Sequence, residues 1–225
     1  MPKSKVAITK KPTTDAQAFH SVRSNLQREV GEFLAYVAKQ KVPLHIYWAF
    51  LRMLFPVAES LGDLAYRADS STNLLKILRE EYASVNPSYG KLAALLIYIY
   101  RHSLTHTDAL REIEFEDKKI SWALTPNWLT AGHLDLTGTS NRYKRVDGRT
   151  IETGEPYVIR ITFSVKQFYE DTLAVCNRMY NTSRKFNGDV GRRYDEWRIL
   201  PLERKIKNTK IEKEAIGEIN DLMKL

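Results

Sequence analysis

Cysteine is nearly absent: Cys176 stands alone among 225 residues. One chain can build neither a disulfide framework nor a thiolate metal cluster from it. Its place beside Leu173, Val175 and Met179 reads as packing rather than as a nucleophile. Long apolar runs are also missing. The longest uncharged one, Leu92 to Tyr100, has nine residues, against about 20 for a membrane-crossing helix. The basic start, Met1 to Lys11, is not followed by the apolar stretch of a signal peptide. No phosphate-cradling glycine loop, dinucleotide fingerprint or nucleophile elbow occurs. The expectation is a cytoplasmic protein with no membrane partner and no cofactor.

What is present is an ordinary globular composition, 43% hydrophobic and 28% charged, enough for a real core. The net charge is +8 and the pI about 9.4. The excess lies late in the chain: Arg142 to Lys213 holds 17 Lys/Arg and 10 Asp/Glu, a balance of +7. Pairs such as Lys144-Arg145, Arg184-Lys185, Arg192-Arg193 and Arg204-Lys205 suit a phosphate backbone. The same charges also suit a plain solvated surface. Charge alone leaves both readings open.

Periodicity organises the chain as follows. Residues 1–14 read as a flexible tail. A helix is predicted from a cap at Thr14 or Asp15 to about Gln40, with Phe19, Val22, Leu26, Val30, Phe33, Leu34 and Val37 at helical spacing. A second runs from Leu44 to about Arg67 with a kink at Pro56. A third covers Thr72 to Tyr82, and Asn86-Pro87-Ser88 turns into a fourth from Tyr89 to Tyr100. This fourth helix is apolar nearly all round and is expected to be the most buried. Short loops favour an up-and-down bundle. Then the pattern changes. Lys119–Leu124, His133–Leu136, Arg142–Val146 and Tyr157–Val165 alternate like strands, and Asp147-Gly148 is a hairpin signal. A small antiparallel sheet is expected, followed by helices over Val165–Met179 and from Leu202 to the end. The fold class is mainly α, with the bundle at 15–118 and a strand-rich segment with additional C-terminal helices at 119–225, packed on the bundle.

The fourth helix runs into Arg101-His102-Ser103-Leu104-Thr105-His106-Thr107-Asp108. Two imidazoles and a guanidinium abutting an apolar element must reach a partner, solvent or an interface, because burying an unpaired charge is costly. An Arg followed by a polar residue and, five positions on, by His, at the end of a hydrophobic helix, resembles the signature of the HEPN superfamily. The likeness covers about residues 16–117; the strand-rich region lies outside it.

The resemblance implies a HEPN-like bundle acting as a homodimer, with two motifs facing each other across a cleft, and a metal-independent endoribonuclease. His106 would be the general base or acid for attack of a ribose 2′-hydroxyl on phosphorus. Arg101 would stabilise charge on the phosphoryl oxygens, and His102 would orient the Arg or the phosphate. Tyr98, Tyr100, Ser103, Thr105 and Asp108 are the candidate substrate contacts; of these, Tyr98 and Tyr100 flank the motif, and packing in the core competes with, and outweighs, stacking on a base as their expected role. The family also implies RNA as partner, a toxin–antitoxin or phage-defence setting, and a protein antitoxin or regulator. Some members only bind, so a non-catalytic module holding RNA or a protein is the competing reading.

Residues five apart on a straight helix point about 140° away from each other. Arg101 and His106 therefore meet one substrate only if the helix distorts or two subunits share the site. The plainer alternatives are an ion pair from Arg101 to Glu112, Glu114 or Glu116 and a hydrogen-bonded His106. His102 and His106, four apart with Asp108 nearby, also have a spacing that can hold zinc. They lack the glutamate of a zinc protease, and only unspaced His133 or His45 could add a ligand, so no metal is expected. Gly132-His133-Leu134-Asp135 reads as a turn entering a strand.

Overall fold

Thr14 opens the first helix. Its hydroxyl accepts the Gln17 amide at 3.2 Å while the Gln17 side-chain carbonyl accepts the Thr14 amide at 2.9 Å, a reciprocal cap. The computed structural model describes residues 12–40, 42, 46–66, 70–99, 113–115, 118–125, 132–140, 143–146, 149–152, 157–186 and 188–197. Helix α1 (Asp15–Leu26) passes through a π-helical turn, Gln27–Gly31, into α2 (Glu32–Ala38). The buried stripe Leu26, Val30, Leu34, Val37 continues across that turn. Thr13, at the end of the expected tail, gives its amide and its hydroxyl to the Asp195 carboxylate.

Helix α3 (Ile46–Ala65) continues through Pro56 and buries ten of its twenty residues. It approaches α4 (Ser70–Ile77) closely at Gly62, where a Cβ would stand 2.8 Å from the Asn73 carbonyl oxygen. A second π turn, Leu78–Tyr82, leads into α5 (Ala83–Val85). Asn86 then accepts the Ser88 amide and starts α6 (Ser88–Ile99). Contrary to the expectation from its composition, α6 is not the most deeply buried element. Tyr89, Ala93 and Leu96 are buried, but Lys91, Ala94 and Tyr98 form an exposed face. The core runs along α3 instead, whose large side chains concentrate on one side. In α6 small alanines dilute the apolar ring.

The strands are β1 (Ile113–Phe115), β2 (Lys118–Thr125), β3 (Leu136–Ser140), β4 (Tyr143–Val146), β5 (Arg149–Glu152) and β6 (Tyr157–Ser164). Four of them form a sheet in the order β1-β2-β6-β3, and β4 and β5 pair separately. An all-antiparallel sheet was expected, and the central ladder corrects it. β2 and β6 run parallel, from Lys118 opposite Tyr157 to Thr125 opposite Ser164, while β1 and β3 flank them antiparallel. Alternation along a strand is identical for either direction. The connection from β2 to β6 is long enough for the crossover that parallel strands need, but length alone does not set the direction: β3 and β6, also joined by a long connection, pair antiparallel. β3 begins at Leu136, so His133 lies in the preceding turn rather than in the strand. The Asp147-Gly148 turn falls outside the described residues, although β4 and β5 pair antiparallel on either side of it.

Helix α7 (Val165–Asn181) follows β6 without a break, capped by the Ser164 hydroxyl accepting the Gln167 amide at 3.2 Å. It packs against α1 and α3. A 3₁₀ turn (Ser183–Phe186) and α8 (Asp189–Trp197) follow. Helix α8 spaces Val190, Tyr194 and Trp197 helically, too short a stretch among its charges to stand out. Its start is made by a distant residue: the buried Asp15 carboxylate accepts the Gly188 and Gly191 amides, each at 2.7 Å. The helix expected from Leu202 onward lies outside the described residues. One hydrophobic cluster reaches from Ala18 to Val190 and includes Leu134, Ile161 and Phe163 from the sheet region. The protein is mainly helical. Among the described residues no helix is long and apolar enough to cross a membrane.

Candidate functional site

Of the residues singled out by sequence, Tyr98 is described: it sits in the last turn of α6 with its side chain 53% exposed. Tyr100, Arg101, His102, Ser103, Thr105, His106 and Asp108 lie outside the described residues. The described part of α6 ends at Ile99, two positions before Arg101.

At the other end of α6 the structure assembles a polar relay from residues far apart in the sequence. The Tyr89 hydroxyl lies 2.8 Å from His133 Nε2 and 2.9 Å from Asp171 Oδ2. Asp171 Oδ1 accepts from the Gln167 side-chain Nε2 at 2.7 Å, and His133 Nδ1 accepts the Ser164 backbone amide at 3.0 Å. Tyr89, His133, Ser164 and Asp171 are all buried. The donors and acceptors leave one consistent arrangement. With Nδ1 accepting, a neutral ring carries its proton on Nε2 and donates to the Tyr89 oxygen, and Tyr89 donates to Asp171.

Burial determines the protonation states. It pushes the His133 pKa down to about 3, since a charged imidazolium is poorly solvated there. The Ser164 amide pointing at Nδ1 opposes protonation for a second, geometric reason. Burial also raises the Asp171 carboxyl, while its bonds from Gln167 and Tyr89 pull it back. The Tyr89 phenol is raised well above its ordinary value, by burial first and by the Asp171 charge second. His133 and Asp171 approach within 3.9 Å, but with a neutral ring this is a polar contact and not an ion pair.

The chain bends unusually to place His133. Gly132 has φ +92° and Leu134 φ +63°, a left-handed conformation that costs a leucine of order 1 kcal/mol. The turn is stitched by Leu134 N–H to Thr162 O (2.7 Å), Thr162 N–H to Asp135 O (3.0 Å) and Asp135 N–H to Gly132 O (3.1 Å). Aromatic rings enclose the relay: Phe163 lies edge-on to His133 at 4.8 Å, and Tyr82 to Tyr89 at 5.1 Å. Tyr82 in turn donates to the Thr172 hydroxyl at 2.9 Å. One sequence signal was available for part of this. Asp171 and Thr172 fall on the stripe of α7 that carries Phe168, Val175 and Met179, and polar residues on an apolar stripe require buried partners.

Cys176 is fully buried, with its thiol pushed up to about 12, so it packs and does not react in the folded chain. A cavity of about 500 Å³ opens where α1 meets α8, with Asp15, Ser183, Arg184 and Arg192 in its wall. Its charges are largely committed: Arg192 to Glu196 (2.6 Å) and Asp189 (3.7 Å), and Asp15 to the two glycine amides. It contains none of the residues of the Arg101–His106 motif, but Arg184 and Arg192 of the late basic pairs lie in its wall. Comparison with protein-family models, with curated proteins and with solved structures finds no match.

Proposed function

We propose that the protein is a metal-independent endoribonuclease of HEPN type that works as a homodimer, its helices forming the up-and-down bundle of that family. The observation that supports this is the position of the motif in the chain. Arg101-His102-Ser103-Leu104-Thr105-His106 follows directly on α6, a helix anchored in the core by Tyr89, Ala93 and Leu96 and exposed at Tyr98.

In this reading His106 acts as general base or acid, taking the 2′-hydroxyl proton or supplying one to the leaving 5′-oxygen. The 2′-oxygen bonds to phosphorus as the P–O5′ bond breaks, leaving a cyclic phosphate and a 5′-hydroxyl. Arg101 stabilises the charge on the non-bridging oxygens, and His102 orients the Arg or the phosphate. Tyr98 and Tyr100 offer rings for a base to stack on. Ser103, Thr105 and Asp108 supply polar contacts, and the late basic segment holds the phosphate backbone. A cytoplasmic location and a protein antitoxin in a toxin or phage-defence setting belong to the same reading.

The test is cleavage of total RNA in excess EDTA by the parent protein, beside His106→Ala verified to fold and associate as the parent does. Cleavage by the parent alone, with cyclic-phosphate ends, is expected. Silence from both, in a protein that still binds RNA, would replace the enzyme with a non-catalytic binding module.

A further inference from the structure

We infer that the cavity between α1 and α8 is a binding site for a nucleoside 5′-monophosphate, with Arg184 and Arg192 holding the phosphate. For RNA as the source of that group the inference rests on the ribonuclease reading; as a nucleotide site it stands independently.

Four observations combine. The first is size. At about 500 Å³ the cavity falls within the range of about 300–1,000 Å³ usual for small-molecule sites, and a bare anion would fill only a small part of it.

The second is that its walls are fixed from both ends of the described chain. The Asp15 carboxylate accepts the Gly188 and Gly191 amides, each at 2.7 Å. The Asp195 carboxylate accepts the Thr13 amide at 2.8 Å and its hydroxyl at 2.6 Å. A site already shaped binds without first ordering its walls.

The third is charge. Asp15 is the one carboxylate among the lining residues, and both its oxygens are occupied by those amides, so a cation finds no ligand there. What remains to meet a ligand is guanidinium: Arg184 from the 3₁₀ turn and Arg192 from α8. Arg192 already touches Glu196 (2.6 Å) and Asp189 (3.7 Å), but these pairs are largely exposed, and exposed pairs hold weakly. A guanidinium carries five N–H donors, so both contacts leave donors over.

The fourth is the match to one chemical group. A phosphate monoester has three terminal oxygens and a charge of about −2, enough to accept from two arginines, and the planar guanidinium fork fits it. Pro12 and Ala16 add carbon surface for a ribose or base. Arg184 and Arg192 also belong to two of the basic pairs, Arg184-Lys185 and Arg192-Arg193, so the sequence signal for phosphate and the cavity coincide.

Equilibrium dialysis of the full chain tests this with the four nucleoside 5′-monophosphates, adenosine and inorganic phosphate. At least one monophosphate should bind about tenfold or more tighter than adenosine, through its charge-assisted hydrogen bonds, and tighter than phosphate alone. Arg184→Ala and Arg192→Ala should each weaken that binding about fivefold to tenfold. Arg178→Ala removes a comparably exposed arginine, paired with Glu81 outside the cavity, and should change it less than about twofold. Glu196→Gln releases Arg192 and should tighten binding about twofold to threefold, a gain that a purely structural role of Arg192 does not produce. Ala16→Leu fills the carbon side of the cavity and should weaken the monophosphate while leaving inorganic phosphate unchanged. Monophosphates that bind no better than adenosine, or an Arg184→Ala protein that binds as the parent does, overturn the inference. Competition by a short 5′-phosphorylated RNA, and not by its 5′-hydroxyl counterpart, identifies an RNA end as the source; competition by neither identifies a free nucleotide. His106→Ala should bind as the parent does. A parent that binds nucleotide but cuts no RNA removes the ribonuclease reading alone, and one that cuts RNA but binds no nucleotide removes this site alone.

Discussion

The Tyr89 hydroxyl and the His133 imidazole, 44 residues apart, meet at 2.8 Å inside the core and join α6 to the turn before β3. That ring is neutral when folded. An unfolded histidine takes up a proton near pH 6.5, whereas His133 in place does so only near 3. Between those values the unfolded chain binds more protons, so this group's contribution is flat above about pH 6.5 and stability falls as pH drops toward 3. Asp171, raised by burial, works in the opposite direction at the acid end, because the folded state then holds a proton that the unfolded state releases. The expected net loss between pH 6.5 and 5 is on the order of 1–2 kcal/mol. Urea midpoints at pH 7 and 5 check this: the parent should weaken clearly more than His133→Gln. Equal slopes would mean that His133 titrates normally in the folded chain.

Tyr82 and Thr172 allow a sharper test, because their bond is asymmetric. The Thr172 hydroxyl accepts from Tyr82 at 2.9 Å and donates to the Phe168 carbonyl at 2.7 Å. Tyr82→Phe removes a donor but leaves Thr172 donating, and should cost about 0.5–1.5 kcal/mol. Thr172→Val leaves the Tyr82 hydroxyl buried without an acceptor and should cost more, about 1–3 kcal/mol. The double variant should be less destabilised than the sum. Additive losses in chemical denaturation would show that the two hydroxyls do not depend on each other.

Two glycines under close contact should respond differently to alanine. At Gly62 a Cβ meets the Asn73 backbone, at 2.8 Å from its carbonyl oxygen, and neither α3 nor α4 can yield without shifting. Gly62→Ala should cost about 1–3 kcal/mol. At Gly31 the obstacle is the hydroxyl end of the Tyr169 side chain, which can turn aside. Gly31→Ala should lie within about 1 kcal/mol of the parent, since alanine is favoured over glycine in a helix. Thermal or urea unfolding of the pair measures the contrast, and equal losses would show that the α3–α4 approach is not rigid.

The helices were legible because their buried residues recur at helical spacing: Leu26, Val30, Leu34 and Val37 mark the first stretch even across the π turn at Gln27–Gly31. That turn itself left no mark, since it changes the hydrogen bonding of the helix and not its stripe. The strands β2 and β6 were found within about one residue, but alternation says nothing about direction, so their parallel pairing was missed. Helix α8 was missed because Asp15, more than 170 residues earlier, provides its start. The relay was illegible for the same reason. Tyr89 counts as apolar in a periodicity reading, His133 appears in a turn, and only their contact in three dimensions makes either residue informative. The Arg101–His106 motif, read from local sequence, lies outside the described residues and stays a proposal.

That motif makes a prediction of its own about the site. On a continuous helix Arg101 and His106 would diverge by about 140°, which favours sites composed of Arg101 from one subunit and His106 from its partner. Arg101→Ala and His106→Ala are each expected to lose cleavage by two orders of magnitude or more, as about 10²–10⁴ is typical for a general acid–base group. Mixing them discriminates between shared and separate sites. In a mixed dimer with shared sites, one site combines both lesions and the other is built entirely from intact residues. Co-refolded or co-expressed variants should then regain up to about a quarter of parent activity, because half the dimers are mixed and each holds one of two sites. If each subunit instead forms its own site, every site in every mixture carries one lesion and no activity returns. The measurement is the cleavage rate against mixing ratio, which should peak at equal amounts and vanish at either end.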